Sequence, residues 1–302
     1  MIPSSRLTVR RRGAYKVCMT NTDHATQTHA AETSHSFVVE IENLVRHFGD
    51  FTAVDHINLR IRGGQFFGFL GPNGAGKSTT IKMLTGLLKP TSGKIRVLGF
   101  DPQTLDLKRR IGVVPEDLNL FERLTGAEML EFTGRMYGME RASITERARE
   151  LLSLMELDDE SKKLIVEYSH GMKKKLSLAC ALIHSPEILF LDEPFEGVDA
   201  LASRTLKDLL SRLTARGLTV FLTSHVLEIV ERLCTDIAII AEGRLVAHGS
   251  LEELRRGISA EAGGETEAAT TQSGAPMSLE DYFIRVVGGG RHTSDDVLGW
   301  LA

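Results

Sequence analysis

Between Gly71 and Thr79 the chain reads Gly-Pro-Asn-Gly-Ala-Gly-Lys-Ser-Thr, directly after the apolar run Phe66-Phe67-Gly68-Phe69-Leu70. The spacing G-x-x-x-x-G-K-[ST] at the end of a strand and the start of a helix is suited to a polyphosphate. Gly71, Gly74 and Gly76 allow backbone angles that turn successive N–H groups onto one anion, with Pro72, Asn73 and Ala75 between them. The helix predicted by Ile81-Lys82-Met83-Leu84 adds the positive end of its dipole at the same spot. Lys77 is a compact cation for the β- and γ-phosphates, and Ser78 offers a hydroxyl to Mg²⁺, with Thr79 completing the motif. These residues predict a nucleoside-triphosphate site.

Such a site needs acids to hold the metal and to activate water. Ile188-Leu189-Phe190-Leu191-Asp192-Glu193 supplies them: four apolar residues of a buried strand, then two carboxylates at its carboxyl end. Ligands sit at that end of the strands in open α/β sheets. Asp192 is predicted to hold Mg²⁺, directly or through water, and Glu193 to poise the attacking water in line with the γ-phosphate.

The elements that must position these groups follow from periodicity. Phe37 to Ile41 and Ile57 to Ile61 have strand rhythm, as do Ile188 to Asp192 and Leu218 to Leu222. Between about Glu116 and Glu167 the pattern is helical, with an amphipathic stretch from Thr145 to Met155. Strands alternating with helices predict a largely parallel sheet with helices on its faces, an α/β fold. Ile237 to Gly249 predicts a terminal hairpin turning at Glu242-Gly243. Residues 1–36 are polar, rich in Thr, His and Ala, and predicted disordered, with Met19 as an alternative first residue. His24, His29 and His35 are too irregularly spaced to read as a metal site. Residues 257–277 read as a low-complexity linker and 278–302 as a short tail, with one helix at Leu279 to Ile284 and the sole Trp, Trp300, near its end.

Composition narrows the function classes. A formal net charge of −4 gives no support for nucleic-acid binding through bulk positive charge. Cys18, Cys180 and Cys234 show neither paired nor metal-ligand spacing, which suggests a reducing compartment. Cys180 lies in an apolar helical pattern and reads as a buried small hydrophobe. No segment approaches the ~18–20 consecutive apolar residues of a membrane span, so a soluble chain that docks on a membrane protein is expected.

The order of these motifs resembles the nucleotide-binding domain of an ATP-binding-cassette (ABC) transporter. In that family a signature motif, usually Leu-Ser-Gly-Gly-Gln, precedes the acidic strand by one helix. Here Tyr168-Ser169-His170-Gly171-Met172 stands in its place, keeping Ser169 and Gly171. A hydroxyl and a close-approach glycine at a helix N-terminus form an anion site whatever their neighbours. Gly197-Val198-Asp199-Ala200 resembles the family's D-loop, which touches the partner subunit. Thr223-Ser224-His225 resembles its switch loop, which implies that His225 contacts the γ-phosphate and holds Glu193 and water in place. Phe48 falls where the family places an aromatic on adenine. Glu116, after Val113-Val114-Pro115, replaces the usual Gln and would meet Mg²⁺ or its water while altering how nucleotide state reaches the helical subdomain. Phe195 and Glu196 replace a more polar pair.

The resemblance covers about residues 37–256 and, faintly, Ser278 to Arg285. It implies a P-loop core with a mainly parallel sheet, an antiparallel β subdomain, and a helical subdomain at about 116–170. It further implies an ATPase using ATP and Mg²⁺, working as a homodimer or heterodimer with a separate transmembrane permease, cytoplasmic and peripheral on the inner face of the cell membrane. Glu116, the form Tyr168 to Met172, the short helical insertion and the ending Gly249 to Leu254 resemble the ABC-2 type exporter branch. A soluble ABC ATPase acting on ribosomes or DNA is the alternative, but such proteins usually carry two cassettes or a long coiled-coil insertion. A GTPase would need an Asn-Lys-x-Asp motif, and the chain has none. Lys173, Lys174 and Lys175 oppose the dipole at the start of the signature helix and are expected on a solvated face.

Overall fold

All five residues of the run before the phosphate loop, strand β3 (Phe66–Leu70), are buried. Alternate side chains leave opposite faces of a strand, so such a run needs cover on both. Phe67 and Phe69 join one core cluster, Phe66 and Leu70 another. The same division recurs in β6 (Ile188–Asp192), β7 (Thr219–Ser224) and β8 (Asp236–Ala241). Phe190, Phe221 and Ile240 belong to the first cluster, and Leu191, Leu222 and Ile239 to the second. Phe67, Phe69 and Phe190 pack around Phe221 with ring centroids 5.5 to 5.7 Å from it. Burying each ring contributes about 1.5–3 kcal/mol.

The computed structural model of the chain describes residues 37–255 together with Glu280, Phe283 and Ile284. The expectations for residues 1–36, for the linker and for most of the tail lie outside the described residues. So do Met19, Cys18, Trp300 and the three leader histidines. Glu280, Phe283 and Ile284 are helical, and Phe283 packs against the second cluster.

The main sheet runs in the order β5-β6-β7-β3-β8-β9, with β5 (Ile111–Val114) at one edge and β9 (Arg244–Ser250) at the other. β5, β6, β7, β3 and β8 pair in parallel; β9 pairs antiparallel with β8 through the expected turn. Glu242 and Gly243 there have φ of 51° and 79°, the positive pair that a two-residue hairpin needs.

A second, antiparallel sheet has the order β2-β1-β4, from β1 (Phe37–Phe48), β2 (Phe51–Arg62) and β4 (Ser92–Val97). Its Val39, Ile41, Ile57 and Val97 share the first cluster with Ile81 and Leu84 of α1 (Lys77–Leu84). A short α2 (Leu105–Lys108) leads into β5. The second face is covered by α3 (Gly126–Met136), α4 (Arg141–Leu154), α5 (His170–Leu182), α6 (Ala200–Ala215) and α7 (Leu227–Leu233), with α8 (Leu251–Arg255) beyond β9. Leu130, Ile144, Leu176, Leu206 and Val230, one from each of α3 to α7, meet in that cluster. A capping box starts α3: Thr125 accepts from the Glu128 N–H, and Glu128 accepts from the Thr125 N–H at 2.8 Å. Such reciprocal capping satisfies two orphan donors of the first turn.

Candidate active site

β6, β7 and β3 are consecutive in the sheet and point the same way, so their carboxyl ends open onto one place. Asp192 stands level with Thr223, and Leu70 with Ser224. The phosphate loop, the acid pair and His225 therefore emerge side by side, at the place where ligands bind in sheets of this kind.

The loop turns sharply into α1. Gly74 and Gly76 have φ of 81° and 106°, and a side chain at Gly76 would strike the backbone oxygen of Ala53. Only glycine fits there. No side chain caps α1 and no acid lies in its first turn, so its leading N–H groups are available to an anion. Asn73, Gly74, Gly76, Lys77, Ser78 and Thr79 line a cleft of about 480 Å³ shared with Phe48, Phe51, Glu116, Glu193 and Glu196. The other three loop residues support it from below. Gly71 packs on Ile240, Ala75 is buried, and the Ala75 N–H donates to the Pro72 carbonyl at 3.2 Å.

At the back of the cleft an ammonium and a carboxylate meet, with an imidazole beside them. Lys77 is 5% exposed and Glu193 6%. Lys77 Nζ donates to the carbonyls of Gly71 at 2.8 Å and Pro72 at 3.2 Å. It also lies 3.2 Å from Glu193 Oε1. That oxygen is buried and accepts no hydrogen bond, so its contact with Lys77 is one of charge rather than direction. His225 Nδ1 lies 3.1 Å from the other oxygen, Oε2.

Glu193 has φ of 46°, a left-handed angle that costs a non-glycine residue on the order of 1–2 kcal/mol. Its backbone is held on both sides: its N–H donates to Thr223 Oγ1 at 3.1 Å, and its carbonyl accepts from Lys174 Nζ at 3.3 Å. Thr223 in turn donates to Asp192 Oδ1 at 2.6 Å. Strain held in this way is characteristic of functional positions.

Ser78 Oγ lies 3.2 Å from Asp192 Oδ1 and 3.5 Å from Glu116 Oε2. A hydroxyl and two carboxylates are hard oxygen donors of the kind Mg²⁺ takes, one or two acids together with substrate phosphates. No cluster of three or more acids, histidines or cysteines forms a self-contained metal cage among the described residues. The set fits an ion shared with a polyphosphate.

Phe48 is 46% exposed at the mouth of the cleft, which removes a core role for it, and Arg46 lies against its ring at 4.4 Å. Phe51, which sequence reasoning passed over, is exposed beside it. Two exposed aromatics flanking a turn between β1 and β2 were the available signal. Ser169 and Gly171 do not line this cleft. Ser169 caps α5 by accepting from the Met172 N–H at 3.2 Å. Gly171 packs against α6, where any Cβ would stand 3.0 Å from an Asp199 carboxylate oxygen. Asp199 caps α6, and hydrogen bonds from the Ala202 and Leu201 N–H groups hold its carboxyl below the usual range against some burial.

The lysine run departs from expectation. Lys174 and Lys175 are buried, and only Lys173 keeps a partly exposed pairing, with Glu122. Lys175 pairs with Glu156 at 2.9 Å, and Lys174 reaches the backbone carbonyls of Glu116 and Glu193. Burial pulls the Lys174 ammonium below the ordinary lysine range, while Glu196, Glu116, Asp192 and Glu193 oppose the shift. Cys180 is buried as expected, its thiol pushed up to about 12 by that burial.

Fold and cleft together define a P-loop nucleoside triphosphatase. A family model described as "ABC transporter" matches residues 54–196. The linearmycin resistance ATP-binding protein LnrL of Bacillus subtilis is 36% identical over 260 residues, spanning 85% of this chain and 81% of that protein. The bacitracin transport ATP-binding protein BcrA of Bacillus licheniformis is 37% identical over 224 residues, 73% of this chain and 72% of its own length. A solved ATP-binding subunit of an ABC transporter superposes with a TM-score of 0.71 at 28% identity, covering 82% of this chain and 99% of that one. A dimeric ATP-binding cassette in a post-hydrolysis state with ADP and Pi gives 0.65 at 26% identity, covering 70% and 98%. The chain belongs to the ABC transporter family, as an ATP-binding subunit that hydrolyses ATP. Subunits of this family work with membrane components and dimerise. Among the described residues no helix is long and apolar enough to cross a membrane.

Proposed function

We propose that two copies of this chain, or this chain and a paralogue, close on two ATP molecules and drive an exporter through a separate transmembrane permease. Each site combines Gly71 to Thr79, Asp192 and Glu193 of one subunit with Ser169 and Gly171 of the other. The observation that carries this reading is the buried Oε1 of Glu193, which accepts no hydrogen bond and lies 3.2 Å from Lys77, while Oε2 lies 3.1 Å from His225 Nδ1. A carboxylate oxygen free to accept, beside a phosphate loop, is what a water-poising base requires.

The roles follow from the geometry. Lys77 leaves the carbonyls of Gly71 and Pro72 for the β- and γ-phosphates, toward which the α1 dipole also points. Glu193 takes the proton of the attacking water, and His225 keeps that carboxylate oriented. Phe48 stacks on the adenine. Ser78, Asp192 and Glu116 would hold Mg²⁺, which when bound neutralises charge on the phosphate oxygens. Ser169 and Gly171, at the start of α5, bring a helix N-terminus to the partner's γ-phosphate. With the nucleotide bridging two such surfaces the dimer closes; loss of phosphate removes the bridge.

Within residues 37–256, residues 116–170 form the helical subdomain that engages the permease, and the subunit lies at the cytoplasmic face of the cell membrane. Relatives named for linearmycin resistance and for daunorubicin/doxorubicin resistance support outward movement of the substrate. No role on nucleic acid is proposed. Glu193→Gln keeps the shape of the site but removes the base. It is expected to bind ATP as wild type, to stall hydrolysis, and to accumulate as an ATP-bound dimer by light scattering. Turnover of this variant at the wild-type rate would refute the assignment.

A further inference from the structure

Lys174 lies on α5, the helix whose first turn carries Ser169 and Gly171, yet its side chain runs inward and is 2% exposed. Its stem borders a small apolar space with Val114, Leu178, Leu191, Leu206 and Leu210. At its tip Nζ donates to the carbonyl of Glu116 at 3.1 Å and to the carbonyl of Glu193 at 3.3 Å. An ammonium has three protons, so two are committed to the backbones of two residues whose side chains line the cleft.

Hydrogen bonds to two neutral carbonyls recover only part of the cost of burying this lysine, and the nearby carboxylates of Glu196, Glu116, Asp192 and Glu193 offset a further part. Desolvating its charge is costly, and an apolar side chain of similar length would fill the same space more cheaply. The arrangement therefore calls for a reason other than stability. Glu193 is the strained residue of the site, its N–H held by Thr223 and its carbonyl accepting from Lys174 at 3.3 Å and from the Glu196 N–H at 3.2 Å. Glu116, held by the same cation, lies on the loop after β5, which leads toward α3 and α4.

We propose that Lys174 is a positioning residue for ATP hydrolysis: it pins the Glu193 carbonyl, and with it the water-poising carboxylate, and ties the Glu116 loop to the same point. Because α5 presents Ser169 and Gly171 to the partner at one end, any shift of α5 on closure reaches the subunit's own base through this side chain. The proposal rests on Glu193 being the base.

The test compares Lys174→Met and Lys174→Gln with wild type and Glu193→Gln, all as full-length chains. Lys174→Met is expected to lower kcat by about tenfold or more while KM for ATP moves less than about threefold, as misplacement of a catalytic group predicts. Amide exchange of the nucleotide-free protein at residues 193–197 should rise by about fivefold, reporting a loosened segment independently of activity. Lys174→Gln keeps a hydrogen-bond donor and should fall between the two. Wild-type kcat and exchange in Lys174→Met would overturn the proposal. So would equal losses of ATP affinity and turnover in both variants with a lowered Tm, the mark of a purely structural lysine. If Glu193→Gln loses turnover and Lys174→Met does not, only the Lys174 assignment fails; if Glu193→Gln retains turnover, the base assignment itself fails.

Discussion

His225 Nδ1 stands 3.1 Å from Oε2 of Glu193, joining the loop after β7 to the strained residue after β6. The two positions are far apart in the chain but adjacent in the sheet, because β6 and β7 are parallel neighbours. His225 is partly exposed while the carboxylate is buried, so the imidazole covers one side of the base. His225→Ala should lower kcat by about 10–100-fold with KM for ATP little changed, since orientation rather than binding is lost. Steady-state kinetics check this; a loss confined to KM would contradict it.

Phe48 combines high exposure with a fixed backing, Arg46 at 4.4 Å from its ring. An exposed aromatic truncation should leave stability unchanged and remove stacking, worth about 1–3 kcal/mol per base. Phe48→Ala is therefore expected to weaken ATP binding by about tenfold while inorganic tripolyphosphate binds as before. Fluorescence titration with both ligands distinguishes base stacking from a general disturbance of the cleft, which would weaken both.

How far the site was legible follows from what each residue type does alone. The phosphate loop and the acid pair needed no partner to be read, because spacing and strand context are local. The residues that make the site work as a unit are non-local. Thr223 matters because it faces Asp192 across two strands, and Phe51 because a turn brings it beside Phe48. The lysine run misled for a physical reason. Charge at consecutive helical positions ordinarily means solvent, but consecutive residues also point 100° apart, and α5 is buried on most sides, so Lys174 and Lys175 turn inward. The fold was legible wherever strands were wholly apolar. β4, with only Ile95 and Val97 buried, lacked such a run and emerged only from its pairing with β1.

His184 gives a stability test far from the cleft. Its ring stacks on Tyr137 with centroids 3.6 Å apart, and Nε2 donates to the Ile111 carbonyl at 2.9 Å. Nδ1 is buried with no partner, so protonation would bury an unpaired N–H. Burial, with a contribution from Arg147, holds this imidazole below its ordinary value of 6.5. The unfolded chain then takes up the proton more readily than the folded one. Stability is complete above about pH 6.5 and is lost as pH falls through the lower folded value. Thermal melts from about pH 7.5 to 5.5 should show Tm falling with acidity, and His184→Gln should flatten that fall. Parallel curves for the two proteins would contradict it.

Every step of the cycle depends on the phosphate loop acting with its metal. Calorimetric titration of the full-length chain with ATP, with Mg²⁺ and again with chelator, measures this directly, alongside Lys77→Ala. The expected result is Mg²⁺-dependent binding that Lys77→Ala weakens by about 10–100-fold, the loss of charge-assisted hydrogen bonds to phosphate. Binding that ignores both Mg²⁺ and the lysine, or no binding of adenine nucleotide at all, would contradict it.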